Sequence, residues 1–139
     1  MRQSYRVRKV KEPPQYANFK PCGIPRRLLE KVVLSVDEYE AIRLADYLAL
    51  EHLEASKQMD ISRPTFTRLI EKARSKLAVA IIDGKELVIE GGNVSLIHTL
   101  HHCHNCGKTH RHPVSKKRLN CQNCGSSNVQ NLADTVLNK

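Results

Sequence analysis

At 139 residues the chain has room for one ordinary domain or two small ones, and with no Trp and two Phe it lacks the material for a large aromatic core. Its net charge of +9 points to a polyanionic partner, most simply nucleic acid, ahead of mere solubility. No run approaches the roughly eighteen apolar residues of a membrane helix. The N-terminal MRQSYRVRKVKEPP has charge with no apolar run behind it, so it is not read as a secretory signal and a cytoplasmic location is expected.

The charge is uneven. Residues 1–31 carry nine Lys/Arg against two acids, residues 32–95 eight against eleven, and residues 96–139 six against one. Two basic ends therefore flank a mildly acidic middle.

Taken in chain order, residues 1–25 read as a basic arm. Arg2, Arg6, Arg8, Lys9 and Lys11 cluster there, and Pro13, Pro14, Pro21 and Pro25 exclude a long helix. KVVLS (31–35) is β-branched and predicts a short strand. Ser35 and Glu38 have capping-box spacing and open a helix with Ala41, Ile42, Ala45 and Leu48 at helical period. A second helix is expected over 51–59.

Ser62 then caps a third, long helix, with Pro64 in its first turn. Phe66, Leu69, Ile70, Ala73, Leu77, Ala80 and Ile81 share one side of it, and Asp83-Gly84 ends it. ELVIE (86–90) predicts a second strand, followed by a turn at Gly91-Gly92-Asn93.

Residues 50–73, LEHLEASKQMDISRPTFTRLIEKA, have the spacing of a helix-turn-helix. Ala55, Met59, Ile61, Phe66 and Leu69 supply its apolar series, and Ser56 is the small residue where the helices cross. Asp60 occupies the turn, where Gly is usual; Asp is among the few side chains that tolerate the left-handed region. Residues 61–76 carry five Lys/Arg and one acid, whereas 37–60 carry two and seven, so the third helix is expected to face away from acidic neighbours.

The expected DNA contacts follow. Ser62, Thr65 and the helix N-terminus would hold phosphates, and Arg63, Thr67 and Arg68 would reach base edges. Lys72, Arg74 and Lys76 would add phosphate contacts.

FKPCGIP (19–25), VVLSVDEYEAIRLADYLAL (32–50), SRPTFTRLIEKARSKLAVAIIDGKEL (62–87) and VIEGGN (88–93) resemble, in order and spacing, the prokaryotic domain-of-unknown-function family one-three-four. Its members are described as predicted DNA-binding proteins with a helix-turn-helix similar to region four of bacterial sigma factors. The resemblance spans roughly residues 6–93 and implies DNA binding by Arg63, Thr67 and Arg68. Asp60 and Ser56 depart from the common Gly and Ala. Several members carry a C-terminal ribbon of the sense C-x-x-C-G … C-x-x-C-G-S-x-N, which CQNCGSSNV matches.

Cys103, Cys106, Cys121 and Cys124 form two Cys-x-x-Cys-Gly knuckles separated by fourteen residues. In a reducing compartment, paired thiols at this spacing suit structural Zn²⁺ in a four-thiolate shell, ahead of an iron centre, disulfides or an oxidation switch. Such a shell has no open position for catalysis. Lys108, Arg111, Lys116, Lys117 and Arg118 keep the metallated ribbon positive. His98, His101, His102, His104, His110 and His112 are read as a solvated surface in preference to a second metal site or a substitute ligand. Cys22 is read as a small residue beside prolines rather than as a ligand.

The expected fold is mainly α. It comprises an arm (1–25), a helix-turn-helix domain with two short flanking strands (26–93), a zinc ribbon (98–131) and a tail (132–139). The expected function is DNA binding in transcriptional regulation, with double-stranded DNA as partner and RNA polymerase or a second copy as further candidates. The alternative is a zinc-ribbon adaptor that binds RNA polymerase or RNA without its own operator. No paired catalytic carboxylates, nucleophile triad, phosphate-binding glycine loop or open metal site is visible, so no enzyme is expected.

Overall fold

The structure, a computed structural model, describes residues 7–114 and 120–137. Arg2 and Arg6 of the arm, and Lys116, Lys117 and Arg118 of the ribbon loop, lie outside the described residues. The elements are β1 (Arg8–Val10), β2 (Asn18–Phe19), β3 (Lys31–Leu34), α1 (Val36–Ile42), α2 (His52–Met59), α3 (Arg63–Asp83) and β4 (Glu86–Ile89). They continue with β5 (Val94–Leu96), β6 (His98–Cys103), β7 (Thr109–Pro113), β8 (Val129–Asn131) and α4 (Leu132–Leu137). A 3₁₀ turn at Arg26–Leu28 precedes β3, and a π-helical turn at Arg43–Tyr47 extends α1.

The expectation of a mainly α fold is corrected: 40% of the described residues are helix and 24% strand, and the strands form three sheets. The two flanking strands are β3 and β4, paired in parallel from Lys31↔Glu86 to Leu34↔Ile89. A parallel pair needs a long crossover, and α1, α2 and α3 supply it. The sheet then gains β2, antiparallel to β4, from the proline-rich arm. The arm's RKV forms β1, parallel to β5. In the third sheet, β6 lies between β7 and β8, antiparallel to both. These extra strands are two to six residues long, and β1, β6 and β7 are charged or His-rich. Their pairing is decided by distant partners more than by their own β propensity.

Local signals set the helices. Ser35 accepts from the Glu38 backbone N–H while Glu38 Oε1 accepts from Ser35 N at 2.9 Å, closing both halves of the capping box. Glu38 is buried, and so are its neighbours Asp37 and Glu40. Each acid has a cationic partner: Arg8 for Asp37, Lys76 for Glu38 at 2.6 Å, and Arg43 for Glu40 at 2.6 Å. At the turn after β4, Gly92 sits at φ +104°, and a Cβ there would fall 2.8 Å from Asp37 Oδ1.

Two apolar clusters result. One joins the β3–β4 sheet to α1 and α3 through Leu34, Val36, Ala73, Ala80, Leu87 and Ile89, and is completed by Val10 of β1 and Val136 of α4. The other lies inside the helical crossover: Ala41, Leu44, Ala55, Met59, Phe66, Leu69 and Ile70. Ile81, expected on the buried side of α3, is instead 75% exposed: it lies about 100° round the helix from the buried Ala80. Residues 132–137, read as tail, fold as α4 and place Val136 in the core. Among the described residues, no helix is long and apolar enough to cross a membrane.

Candidate functional site

α2 and α3 pack through Ala55, Met59, Phe66, Leu69 and Ile70. Asp60 lies between them in the left-handed conformation, φ 58° and ψ 45°. Its N–H bonds Lys57 O at 3.2 Å and that of Ile61 bonds Ser56 O at 3.1 Å, so the turn closes on carbonyls at the end of α2. Ser56 is buried and donates its hydroxyl to Leu53 O at 2.7 Å, which satisfies that hydroxyl at the crossing. The unit is a helix–turn–helix in geometry.

The predicted contact residues fall into two groups. Arg63, Arg68 and Lys72 are exposed on α3, and among the described residues none has an ion-pair partner. Ser62, at the N-terminus of α3, accepts from Thr65 N, and its hydroxyl donates to Thr65 Oγ1 at 2.8 Å. Both hydroxyls are thus already engaged in the cap.

The second group is turned inward or neutralised. Thr67 is half-buried with its hydroxyl 3.0 Å from His52 Nδ1. Arg74 makes a forked contact with Asp46 at 2.6 and 3.2 Å, holding that carboxyl below its ordinary value. Lys76 is committed to Glu38. The cations of the far half of α3 are therefore tied to Asp46 and Glu38, and among the described residues the unpaired cations of α3 lie in its N-terminal half. Sequence reasoning missed His52, which also stands edge-on to Phe66 with ring centroids 5.3 Å apart. A contact fifteen residues away across a turn leaves no periodic signal.

The four knuckle cysteines converge. Their sulfurs all lie within 4.8 Å of one another, with Cys103–Cys124 and Cys106–Cys121 at 3.6 Å. A tetrahedral ion at about 2.3 Å from each sulfur requires S···S separations of about 3.8 Å, so the set fits one ion.

The two knuckles have the same build. Gly107 N bonds Cys103 O and Gly125 N bonds Cys121 O, each at 2.9 Å, and the glycines sit at φ 78° and 76°. Those positive φ values let the chain fold back so that backbone N–H groups face sulfur. Cys106 N reaches Cys103 Sγ at 3.5 Å and Asn123 N reaches Cys121 Sγ at 3.3 Å. The Asn105 side-chain amide and the Ser126 N–H bring the Cys124 thiol down to about 6. Cys103 is held up at about 11. The Cys106 N–H lowers it, but burial and the adjoining Cys124 and Cys106 thiols raise it by more. Thiols ligate an ion as thiolates, so metal uptake by the set would release protons.

The histidines are not a solvated surface. His101 and His112 are buried, His98, His102 and His110 half-buried, and His104 alone of the six is exposed. Burial drives the His101 pKa down. His102 and His104 have hydrogen-bond partners in Thr109 and Gln130. Cys22 is exposed, away from the four clustered thiols.

Fold and site together define a helix–turn–helix chain with a four-cysteine centre able to hold a metal ion. The chain belongs to the family described as protein of unknown function DUF134, whose model matches residues 1–97. It is similar to a UPF0251 protein of Chloroherpeton thalassium, 55% identical over 95% of this chain and 87% of the relative. A UPF0251 protein of Pelotomaculum thermopropionicum is 43% identical over 87% of this chain and 91% of its own length. A third, from Prosthecochloris aestuarii, is 46% identical over 85% and 82%. No solved structure matches.

Proposed function

We propose that the chain binds double-stranded DNA with the N-terminal half of α3 in the major groove, and acts in transcriptional regulation rather than as an enzyme. One observation carries the reading. Of the five cations between residues 61 and 76, Arg74 and Lys76 are paired with Asp46 and Glu38, whereas Arg63, Arg68 and Lys72 stand exposed and, among the described residues, without an ion-pair partner on the helix that follows the turn. Arg68 and Arg63 have the geometry to match O6 and N7 of guanine, and Lys72 a phosphate. Thr67 is reassigned: its hydroxyl steadies the helix pair through His52.

We assign the four-thiol centre to zinc. Four sulfur donors in a tetrahedron suit that ion and leave no position for water, so its task is to hold the ribbon together. The ion's binding free energy would fold a segment with few apolar residues of its own.

A salt titration on duplex DNA tests the reading. With Arg74 and Lys76 already paired to Asp46 and Glu38, about four phosphates remain to be neutralised, which gives a log–log slope near −3 to −4. Enrichment of genomic fragments on metal-loaded protein should return a motif. A flat salt response and no motif would overturn DNA binding and favour the adaptor that binds RNA polymerase or RNA.

A further inference from the structure

α3 is 21 residues long, about 31 Å, and its solvent side changes character along its length. The N-terminal half exposes Arg63, Arg68 and Lys72. The C-terminal half exposes Val79, Ile81 and Ile82, at 38%, 75% and 82%, with exposed Ala78 beside them. Three large apolar side chains within one turn make a patch on the order of a few hundred Å², a size at which such patches are often functional. The exposed residues Arg68, Lys72, Ser75, Val79 and Ile82 follow one another at spacings of four, three, four and three residues. That alternation is the seam of a two-helix coiled coil, and it runs from the charged half into the apolar half without a break.

We propose that this face packs against a second copy of the chain, with the two α3 helices antiparallel about a two-fold axis near Ala78. A two-fold axis lets one patch serve both sides of the contact. The charges at the two ends of the apolar stretch select that occupant and that direction. Lys72 stands at its N-terminal end. Asp83, exposed and without an ion-pair partner among the described residues, stands at its C-terminal end. Eleven residues apart, the two lie on the same side of the helix. Parallel pairing would set each against its own copy. Antiparallel pairing sets Asp83 beside the partner's Lys72, a surface ion pair that orients the helices and leaves the lysine in solvent.

A consequence follows for DNA, and it rests on the reading proposed above. The centre of Arg63 and Arg68 lies about 12 residues from the axis, roughly 18 Å at 1.5 Å per residue. The two reading halves then stand roughly 36 Å apart, which is one turn of duplex and the spacing of two half-sites.

Sedimentation equilibrium of the metal-loaded full chain, without DNA, tests the contact. The parent should reach twice the monomer mass as its concentration rises. Ile82→Glu should weaken the dimer by at least about tenfold, with an unchanged far-UV circular dichroism spectrum because the position is exposed. Ile97→Glu, at an exposed apolar position outside α3, should dimerise like the parent. Lys72→Asp and Asp83→Lys should each weaken association, and the double variant, which exchanges the charges, should recover it. A monomer at every concentration would overturn the proposal and leave the patch to a different protein. Undiminished dimers in both Ile81→Glu and Ile82→Glu would overturn the face, and no recovery in the double variant would overturn the direction. Because no DNA is present, failure of the DNA reading leaves this result standing, and a monomer leaves the salt titration unaffected. If both hold, the enriched motif should be an inverted repeat with half-sites about 10 base pairs apart between centres.

Discussion

Asp60 holds the turn between α2 and α3 at φ 58°, a region that L-residues enter at a cost and glycine does not. Replacing it with glycine relieves that cost. Asp60→Gly should raise the denaturation free energy by up to about 1 kcal/mol, whereas Asp60→Val, β-branched, should lower it. Urea unfolding of the three proteins checks both signs. For DNA contact the informative residue is Arg68. Arg68→Ala should lose about 1–3 kcal/mol on the specific site and less on random duplex. Equal loss on both would reassign Arg68 to the backbone. The Asp60 turn, the Ser62 cap and the cysteine knuckles were legible in sequence because each is a local arrangement with its chemistry written in neighbouring residues. His101 and Thr67 were not: their surroundings come from a partner strand and a partner helix.

The helices and the sheets differ in the same way. α1 begins where Ser35 and Glu38 close the box, and α3 ends where Gly84 adopts φ 66°, both as their residues dictate. Removing the cap in Ser35→Ala should cost about 1 kcal/mol, measured by thermal or urea unfolding. Full stability in that variant would show that the buried acids around it hold α1 unaided. By contrast β1 reads as a charge cluster, RKV, yet it places Val10 at 0% exposure and sends Arg8 to Asp37. Its basic residues looked available for a nucleic acid, but part of that charge serves the fold. Parallel pairing with a segment more than eighty residues away is invisible to any local pattern.

At the scale of the whole molecule, the ribbon is fastened to the helical unit. Gly91 N donates to Val136 O at 2.8 Å, Val136 sits in the sheet–helix core, and Arg111 forks onto Glu12 at 2.8 and 3.1 Å. Stripping the metal, or mutating Cys106→Ser, should therefore lower the melting temperature of the entire chain by roughly 10 °C or more. A helical transition left unchanged in far-UV circular dichroism would instead make the ribbon independent. The Glu12–Arg111 contact adds a pH term of known sign. The Arg111 hydrogen bond holds the Glu12 carboxyl below its ordinary 4.5, so folding gains from the ionised form above that pH and loses the gain as pH falls through the depressed value. Glu12→Gln should be less stable than the parent near neutrality, and the difference should shrink on acidification. A difference constant from pH 7 to 3 would count against the contact.

The pairing of β1 with β5 also has a consequence in time. Residues 8–10 leave the ribosome well ahead of their partner and cannot pair until residues 94–96 follow, about 5–15 s later at ordinary rates of synthesis. Val136, which closes the same core, arrives later still. A nascent chain halted before residue 132 would keep the Val10 cluster open, with the acids of α1 assembled but its apolar lid missing. The order of synthesis thus makes α4 the checkpoint for β1.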